Sequence, residues 1–335
     1  MRAGTYTEMY YTIVLLLALS GTAIGRLSKH RALKLPSGSL KDDPNIEGFC
    51  STLYSAGSPN DVKEKINPCH YYRCQSGNYI RNRCPDGMGL SPIFVKKWLK
   101  LKKGSNGNPC TKPNKKCKIT LKERGLNDYV TTVCGVDVMI IIDVSCSIEE
   151  VDQMKVKQFV NRMVKVFPIK PGFTQVGGLV FSKNIEHVAY LNEFDMRRKV
   201  LERFANYPIT MKPCGTSTFA ALEMARTVYF TEQNGRRPNK KGVLLVITDG
   251  FTNPIRRQNE TLHQAAMFDA EMPEVQRTVI GVPNIKQEEK GNRGIDGVAE
   301  WSKIASSPND VLTLDSFDAL YDIIDDITRK SCETL

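Results

Sequence analysis

The C-terminal part of the chain alternates short apolar runs with amphipathic segments, and this pattern restricts the fold more than any other feature of the sequence. Three runs are almost purely apolar, which is typical of strands buried on both faces: VDVMIIIDV, GVLLVITDG and QRTVIGVP. The first run is followed by apolar side chains at helical spacing, namely Val151, Met154, Phe159, Met163 and Val166. Regular alternation of this kind predicts an α/β domain whose doubly wound, mostly parallel sheet carries helices on both faces.

The segments between these runs fit the same pattern. Further strands are predicted at QVGGLVFS, IEHVAYL and DVLTL. Helices are predicted at FDMRRKVLERFANY, at STFAALEMARTVYFTE, in the segment through Trp301 and in the terminal SFDALYDIIDDITRK. In an open α/β sheet, binding sites lie at the carboxyl ends of the strands, so residues at those positions are the first candidates for function.

The N-terminal residues predict an oxidising, extracellular destination. Arg2 precedes a short apolar run, TIVLLLALSGTAIG, that ends in small residues, the pattern of a secretory signal peptide over residues 1–25 with cleavage after Ala23 or Gly25. A signal anchor retained in the membrane is the alternative, but the run is shorter than the roughly 20 residues that span a bilayer. No second long apolar run follows. We therefore expect a secreted product without a transmembrane anchor, and the even number of cysteines fits that route.

Changes in composition divide the remainder of the chain. Residues 26–48 are polar and basic without periodicity, which predicts a flexible leader. Residues 49–118 hold six cysteines and little continuous apolar pattern, as expected of a small module stapled by disulfides. Residues 119–133 are interpreted as a linker to the α/β domain at 134–332.

Oxygen-bearing side chains cluster where the predicted strands end. Asp143, Ser145 and Ser147 follow the first buried strand, Thr216 and Thr218 stand at the start of a helix, and Asp249 ends another buried strand. Asp and Ser also cap helices and terminate strands, so each segment alone is weak evidence. Three such segments at one edge of one sheet instead predict a hard-cation site, for Mg²⁺ or else Mn²⁺ or Ca²⁺. The four histidines are scattered along the sequence and offer no competing site.

The segments DVSCS, GTSTFAAL and ITDG, with the tail AEWSKIASSPNDVLTLDSFDAL, resemble von Willebrand factor type A domains in the order in which that family has them. The resemblance covers the whole α/β domain and implies the family's Rossmann-like fold and its metal-ion-dependent adhesion site. It implies that Ser145, Ser147 and Thr216 contact the cation directly or through water. Asp143 and Asp249 would hold the waters and hydroxyls around it. A carboxylate from an acidic protein partner would complete the coordination, so the implied activity is binding rather than catalysis.

Four cysteines belong to this domain. Cys146 stands where the family usually has a small residue, and Cys214 precedes Thr216 by two positions. Both lie in loops that the resemblance brings together over the cation, which predicts a Cys146–Cys214 disulfide. Cys134 and Cys332 flank the domain. Secreted members of the family commonly join the two ends, which predicts a Cys134–Cys332 disulfide.

The N-terminal module, with its six cysteines and the segment PCHYYRCQSGNYIRNRCPDGMGLSPI, resembles peritrophin-A-type chitin-binding domains. The family pairing implies the disulfides Cys50–Cys74, Cys69–Cys117 and Cys84–Cys110. The resemblance also implies chitin as a partner, bound by stacking of sugar rings on aromatic side chains. The candidate rings are Tyr71, Tyr72, Tyr79 and Trp98, with Phe94 also available. The alternative is that these rings pack against disulfides in a domain too small for any other core.

The insert FVKKWLKLKK adds a basic patch to this module. The chain's net charge of +11 is concentrated between Arg26 and Arg124. The insert contributes five lysines, namely Lys96, Lys97, Lys100, Lys102 and Lys103. Such a cluster attracts sulfated glycans, anionic membranes or acidic matrix proteins, whereas the predicted secretion argues against nucleic acid. A solvated charged loop anchored by Trp98 is the alternative.

Together these features predict a secreted extracellular matrix or adhesion protein that binds a chitin-like polysaccharide and, through the cation, an acidic protein ligand, in a cuticle or a biomineral such as shell. The alternative is a soluble adhesion or immune-type recognition protein whose N-terminal module binds no sugar. An enzyme is not expected, because the two recognisable domains leave no room for a catalytic one. The sequon at Asn259 predicts an N-linked glycan close in sequence to Asp249.

Overall fold

The computed structural model describes residues 50, 52–57, 66–75, 78–118, 135–209, 212–284 and 297–332. The predicted signal peptide, leader and linker lie outside the described residues, and so does Cys134 with its predicted bridge to Cys332. Residues 44–335 form one compact unit. The cysteine-rich module and the α/β domain therefore belong to one body.

The cysteine-rich module is built from short strands and one helix. Strands β1 (Tyr54–Ser55), β2 (His70–Gln75) and β3 (Asn78–Arg83) form an antiparallel sheet. Strand β4 (Met88–Gly89) pairs with β5 (Lys112–Pro113), and helix α1 (Pro92–Leu101) lies between them in the sequence. Disulfides join the predicted pairs Cys50–Cys74, Cys69–Cys117 and Cys84–Cys110.

Most of the basic insert forms helix α1, whereas the alternative interpretation of the sequence was a solvated loop. Pro92 lies in its first turn, where a missing N–H breaks no helical hydrogen bond. Phe94 and Trp98 are four residues apart, so they share one face of the helix, and both are buried. Lys102 ends the helix in the left-handed conformation, with φ 51°. Lys96, Lys97 and Lys100 of the insert therefore belong to an ordered helix that two rings attach to the module.

The α/β domain has the mostly parallel sheet that the sequence predicts. Within the described ranges its strands are β6 (Val136–Asp143), β7 (Gln175–Phe181), β8 (Ile185–Ala189), β9 (Lys241–Thr248), β10 (Val275–Gly281) and β11 (Val311–Thr313). Their spatial order is β11-β10-β9-β6-β7-β8. All neighbours are parallel except β8, which runs antiparallel to β7 at one edge. The predicted fold class is confirmed.

Helices cover both faces of this sheet. They are α2 (Glu150–Val166), α3 (Arg197–Ala205), α4 (Thr218–Met224), α5 (Gln258–Glu271), α6 (Val298–Ile304) and α7 (Ile324–Cys332). A π-helical turn extends α4, and a 3₁₀ segment precedes α7. Helix α5 is absent from the sequence prediction because its apolar stripe is thin, with only Thr261, Ala265 and Phe268 buried. None of the helices in the described part of the chain is both long and apolar enough to cross a membrane.

The alternating side chains of β6 divide the core into two layers. Val138, Ile140 and Ile142 pack against one group of helices that includes α2 and α3. Met139 and Ile141 pack on the opposite face, against α4, α5 and α6. All eight residues of β6 are buried, because neighbouring strands and helices enclose it on every side. The strand that carries Asp143 is thus the most enclosed part of the domain.

The module packs against the first turns of α2 through a buried ion-pair network. The Arg73 side chain, 1% exposed, donates to the equally buried Asp152 across 2.5 Å. The same guanidinium lies 3.2 Å from the carboxylate of Glu149, to which the Tyr54 hydroxyl also donates a hydrogen bond. Val151, between these two acids, belongs to the apolar cluster of the module. The N-terminal end of α2 is therefore shared between the two parts of the molecule.

A second set of contacts lies further along α2. The backbone N–H of Asp86 donates to the Gln158 side chain across 2.6 Å, and the Gln158 amide donates back to the Asp86 carbonyl across 2.9 Å. The Asp86 carboxylate forms an ion pair with Arg162, one turn further on. Polar side chains of α2 therefore form an internal interface with the module.

Candidate metal site

Asp143 is the last residue of β6, and its side chain is completely buried. Its Oδ1 accepts a hydrogen bond from the backbone N–H of Ser145 (2.8 Å), and its Oδ2 accepts one from the hydroxyl of Thr248 (2.8 Å). Gln153 of α2 donates to the Asp143 carbonyl (3.1 Å). Residues of β9 and α2 therefore hold Asp143 in place at the carboxyl end of its strand.

The two serines connect Asp143 to the second predicted carboxylate. The Oγ atoms of Ser145 and Ser147 are 2.9 Å apart, and the Ser147 hydroxyl donates to Oδ1 of Asp249 (3.1 Å). Asp249 directly follows β9 and is 1% exposed. Asp143, Ser145, Ser147 and Asp249 thus form one hydrogen-bonded chain across the carboxyl ends of two neighbouring strands.

The loop before α4, which carries Thr216, is tied to both of these segments. A disulfide joins Cys214 to Cys146, with an S–S distance of 2.03 Å, as the sequence predicts. The backbone N–H and carbonyl of Thr216 each bond to Asn253, across 3.2 Å and 3.0 Å. The Thr216 side chain is buried. The three segments singled out in the sequence are therefore linked to one another by a covalent bond, by backbone pairing and by side-chain hydrogen bonds.

Two residues of α6 support the loop after β9, and sequence reasoning assigned them no role. Trp301 donates its indole N–H to the carbonyl of Gly250 (2.8 Å). The buried Glu300 carboxylate accepts hydrogen bonds from the N–H (3.1 Å) and the hydroxyl (2.9 Å) of Thr252. Burial raises the pKa of Glu300 despite these bonds. No local pattern signals this support, because α6 lies far from the loop in the sequence.

The electrostatics of Asp143 favour an added cation. Burial raises the pKa of Asp143 to about 6, and the hydrogen bonds from Ser145 and Thr248 oppose that rise only in part. These donors are neutral, and within the described ranges no basic side chain forms an ion pair with Asp143. A buried carboxylate without a cationic partner costs free energy unless it is protonated or paired.

The available donors are hydroxyl and carboxylate oxygens, the ligands that hard cations prefer. No group of three or more His, Cys, Asp and Glu side chains in the described part of the chain is arranged to hold a metal ion. Ser145, Ser147 and Thr216, with the two carboxylates, fit a cation that is held largely by neutral oxygens.

The aromatic residues predicted to stack on chitin are all buried, and their role in sugar binding stays a prediction. Tyr71 is 0% exposed and Trp98 is 3% exposed, and Tyr72 and Tyr79 are also buried. Tyr71 and Trp98 belong to the apolar cluster of the module, where Tyr71 meets Tyr54 edge-on. The hydroxyl of Tyr79 donates to the carbonyl of Thr52 (3.1 Å). A module this small uses its rings as a core, so the four predicted rings present little free face to solvent in the described part of the module.

The predicted glycosylation site lies beside the metal-site loops. Asn259 is the second residue of α5 and is exposed. Thr261 of the same sequon is buried, and its hydroxyl is hydrogen-bonded to that of Thr252. A glycan on Asn259 would therefore stand next to the loop that follows Asp249.

Comparison with known proteins places the α/β domain in a family. The model of the von Willebrand factor type A domain matches residues 137–326. The mouse collagen alpha-4(VI) chain is 28% identical over 205 residues, covering 59% of this chain and 8% of the collagen chain. Chicken integrin alpha-1 is 29% identical over 177 residues, covering 52% and 58%. Mouse matrilin-2 is 32% identical over 117 residues, covering 34% and 12%.

This chain therefore spans less than two thirds of the length of each of these relatives. Among solved structures, proximal thread matrix protein 1 (PTMP1) from the mussel byssus has the same fold, with a TM-score of 0.52 at 24% identity over 60% of this chain and 50% of that one. A further structure of that protein, 23% identical, has zinc in its MIDAS motif. The family model matches more than half of this chain, so the protein belongs to the von Willebrand factor type A domain family.

Proposed function

We propose that this protein is an extracellular adhesion or matrix protein whose A domain binds an acidic protein ligand through a divalent cation. Asp143 carries the proposal: it is a fully buried carboxylate whose hydrogen-bond donors are neutral, at the end of the central strand. Type A domains commonly have a metal-ion-dependent adhesion site, and the five residues that match it here lie on segments that are physically joined.

The side chains of the site have two different proposed roles in holding the cation. The hydroxyls of Ser145, Ser147 and Thr216 are the proposed direct or water-mediated ligands. Asp143 and Asp249 would accept hydrogen bonds from hydroxyls and from waters around the ion, and their carboxylates would balance its charge. A bound cation supplies an electrophilic position that a partner's Asp or Glu carboxylate can occupy.

The hydrogen bonds of the site orient these ligands before the cation arrives. Ser147 already donates to Asp249, and Thr248 already donates to Asp143. The Cys146–Cys214 disulfide joins the serine loop to the threonine loop. Preorganisation of this kind lowers the entropy lost on binding, so the chain needs little rearrangement to coordinate the ion.

Mg²⁺ is the proposed cation, with Mn²⁺ and Ca²⁺ as alternatives, because the donors are all oxygen atoms. Zinc is included in the test because PTMP1 has been solved with zinc in its MIDAS motif. The proposed setting is the extracellular matrix, since collagen, integrin and matrilin chains are among the relatives. A cuticle or shell matrix and the predicted signal peptide belong to this proposal.

Chitin is left out of the proposed function. The four rings that suggested it are buried in the module and present little free face to solvent. A pull-down of the full chain on chitin beads decides the matter, because retention would require a sugar site elsewhere on the module.

The test of the cation site is a calorimetric titration of the full chain with MgCl₂, MnCl₂, CaCl₂ and ZnCl₂, followed by capture on an immobilised acidic peptide. We expect binding of one cation, and capture that EDTA weakens about tenfold or more. The variant Thr216→Ala should lower cation affinity about tenfold or more through the loss of an oxygen ligand. Its matched control is Thr227→Ala, an exposed threonine elsewhere in the domain.

Unchanged cation affinity in Thr216→Ala would remove Thr216 from the site. Equal weakening in Thr227→Ala would show that the loss reflects general destabilisation. Capture of the acidic peptide that is equally strong with and without EDTA would overturn the proposed mode of ligand binding, because the cation would then play no part in it.

A further inference from the structure

The surface of the module carries a groove that neither the metal site nor the predicted sugar site uses. The groove has a volume of about 780 Å³ and lies between α1 and the β4–β5 pair. Its floor is formed by apolar side chains that include Leu90, Val95 and Leu99. Lys96, Lys100 and Lys112 form its rim. A volume of this size accommodates several side chains of a bound peptide.

The spacing along α1 separates the helix into distinct faces. Phe94 and Trp98 point into the module, whereas Val95 and Leu99 are half-buried and line the groove. Lys96 directly follows Val95, and Lys100 directly follows Leu99. The two lysines are exposed and, because they are four residues apart, they share one face of the helix. One helix therefore presents an apolar row and a cationic row side by side.

The charge of this region is entirely one-sided. Residues 87–118 contain nine lysines and no aspartate or glutamate. In the part of the chain that the structure describes, no carboxylate forms an ion pair with Lys96, Lys100 or Lys112. Elsewhere in the same module Arg73 and Asp86 are paired, which shows that charges in this body normally find partners. The rim lysines are therefore available to an anionic ligand.

Exposed apolar surface is also concentrated on this helix. Ile93 is 78% exposed and Leu101 is 53% exposed, at the two ends of α1. Neither side chain lines the groove itself. Large apolar side chains that remain open to solvent on one short helix are nevertheless typical of a surface that another molecule covers.

We propose that this groove binds an acidic peptide segment of a partner protein, one in which apolar side chains alternate with aspartate or glutamate. The apolar side chains of the peptide fill the floor, and its carboxylates pair with Lys96, Lys100 and Lys112. Charge complementarity selects an acidic partner, and the apolar floor selects a peptide. A sulfated glycan would satisfy the lysines but would place hydroxyl groups on the floor, and a flat membrane surface would not enter a groove.

The test uses the full chain with EDTA, which keeps the cation site of the A domain out of the measurement. The probe is a short fluorescein-labelled peptide of alternating leucine and aspartate, and binding is followed by fluorescence anisotropy. A second peptide replaces each leucine with serine at the same charge. Heparin and vesicles that contain phosphatidylserine compete in separate experiments.

We expect the leucine–aspartate peptide to bind and the serine–aspartate peptide to bind about tenfold more weakly. The variant K96E/K100E should weaken binding of the leucine–aspartate peptide by about tenfold or more, because both rim charges are reversed. The matched control is K116E/K118E, which changes two exposed lysines of the same acid-free segment that do not line the groove. All four lysines are exposed, so both variants are expected to fold.

Equal binding of the two peptides would overturn the proposal, because charge alone would then explain the interaction. An equal loss in K116E/K118E would overturn it too, since the effect would reflect total charge rather than the groove. Heparin or vesicles that bind more tightly than the peptide and lose affinity in K96E/K100E would assign the surface to a glycan or to a membrane instead.

Discussion

The cysteine-rich module and the A domain are held together by different means. The module has a small apolar cluster that is rich in aromatic rings. It is cross-linked by the disulfides Cys50–Cys74, Cys69–Cys117 and Cys84–Cys110. The A domain has two apolar layers on either side of a buried sheet. Val151 of the A domain also packs in the apolar cluster of the module. A small domain with little apolar area needs covalent links or a partner surface, and this module has both.

The surface that joins the two regions differs from both interiors. It is built on charged groups, among them Arg73, Asp152 and Lys155, each about 1% exposed. Burial alone would lower the pKa of Lys155, but Asp318, Tyr71 and Asp152 raise it overall, so the ammonium group remains charged. Buried ion pairs of this kind specify one arrangement of two parts, because every alternative arrangement leaves a charge unpaired.

Removing one disulfide from each region gives the largest expected effects. The bridges Cys84–Cys110 and Cys146–Cys214 span 26 and 68 residues. Loop entropy gives losses of about 3.5 and about 4.4 kcal/mol in the free energy of unfolding when both cysteines are replaced by alanine. We expect the module to lose its fold in C84A/C110A, whereas the A domain keeps its sheet in C146A/C214A because its core does not depend on the bridge.

Hydrogen exchange with mass spectrometry distinguishes these outcomes residue by residue. Amides of β2 and β3 should lose protection in C84A/C110A, while amides of β6 and β9 should stay protected in both variants. Protection of the module in C84A/C110A would show that the contacts with α2 are sufficient without the bridge.

Breaking the joining surface is expected to cost about 3 kcal/mol. The variant Arg73→Met removes the nearer of the two cations that pair with Asp152 among the described residues, and leaving a buried charge partly uncompensated is strongly destabilising. Urea denaturation measures the loss, and the double variant Arg73→Met/Asp152→Leu should recover most of it. The exposed Arg198→Met is the control and should change the unfolding free energy by no more than about 0.5 kcal/mol. Two separate unfolding transitions in the unaltered protein would contradict the shared body.

Asp143 provides a pH-dependent prediction within the A domain. Its pKa is raised from 3.8 to about 6, so the unfolded chain ionises first and the cation-free protein loses stability as pH rises from about 4 to about 6. The full loss is no more than about 3 kcal/mol and is present above pH 6. In EDTA, Asp143→Asn should remove this pH-dependent loss, and thermal denaturation across the pH range measures it.

With a cation bound, ionised Asp143 is expected to stabilise the folded protein above pH 6 instead of destabilising it, because the carboxylate then stabilises the bound ion. Added Mg²⁺ should therefore raise the melting temperature of the unaltered protein at pH 7.5 and leave Asp143→Asn unchanged. The exposed Asp195→Asn serves as the control and should respond to Mg²⁺ as the unaltered protein does. A stability profile in EDTA that rises between pH 4 and pH 6 would show that other groups dominate.

The smallest expected effect concerns the hydrogen bond between the Tyr54 hydroxyl and Glu149, at the surface that joins the module to the A domain. Tyr54→Phe removes only the hydroxyl that donates to Glu149 and keeps the ring in the module core. A hydrogen bond to a charged acceptor contributes about 1.5 kcal/mol or somewhat more, so the loss should be about half that of Arg73→Met. Urea denaturation of the two variants side by side gives the ratio. A loss equal to that of Arg73→Met would mean that the ring, and not the hydroxyl, is displaced.

The sequence was sufficient for the sheet and for the oxygen-bearing loops because both follow local rules. Continuous apolar runs specify the buried strands, and Asp143 and Asp249 directly follow two of them. Family resemblance added Thr216 and the disulfide pairs. The helix α5 escaped prediction because few of its side chains are buried.

Long-range pairing explains what the sequence could not provide. Asp152 and Lys155 have the spacing of an ordinary solvent-facing pair on a helix, and only the position of Arg73 turns them into an interior network. From the sequence alone, the rings of Tyr71 and Trp98 are equally consistent with a sugar site and with a small core, and the structure places them in the core. The support that α6 gives to the loop after β9 depends on contacts between residues about 50 positions apart.

The Cys146–Cys214 bridge has a mechanical consequence. A matrix ligand anchored at the cation would transmit tension to the serine loop, and the bridge passes part of that tension directly to the loop before α4. The serine loop continues β6, whose backbone is bonded along its length to β7 and β9. Pulling along this strand strains many parallel hydrogen bonds together, which resists extension far better than opening them one at a time. The site is therefore attached, by two routes instead of one, to strands that are hydrogen-bonded to neighbours on both sides.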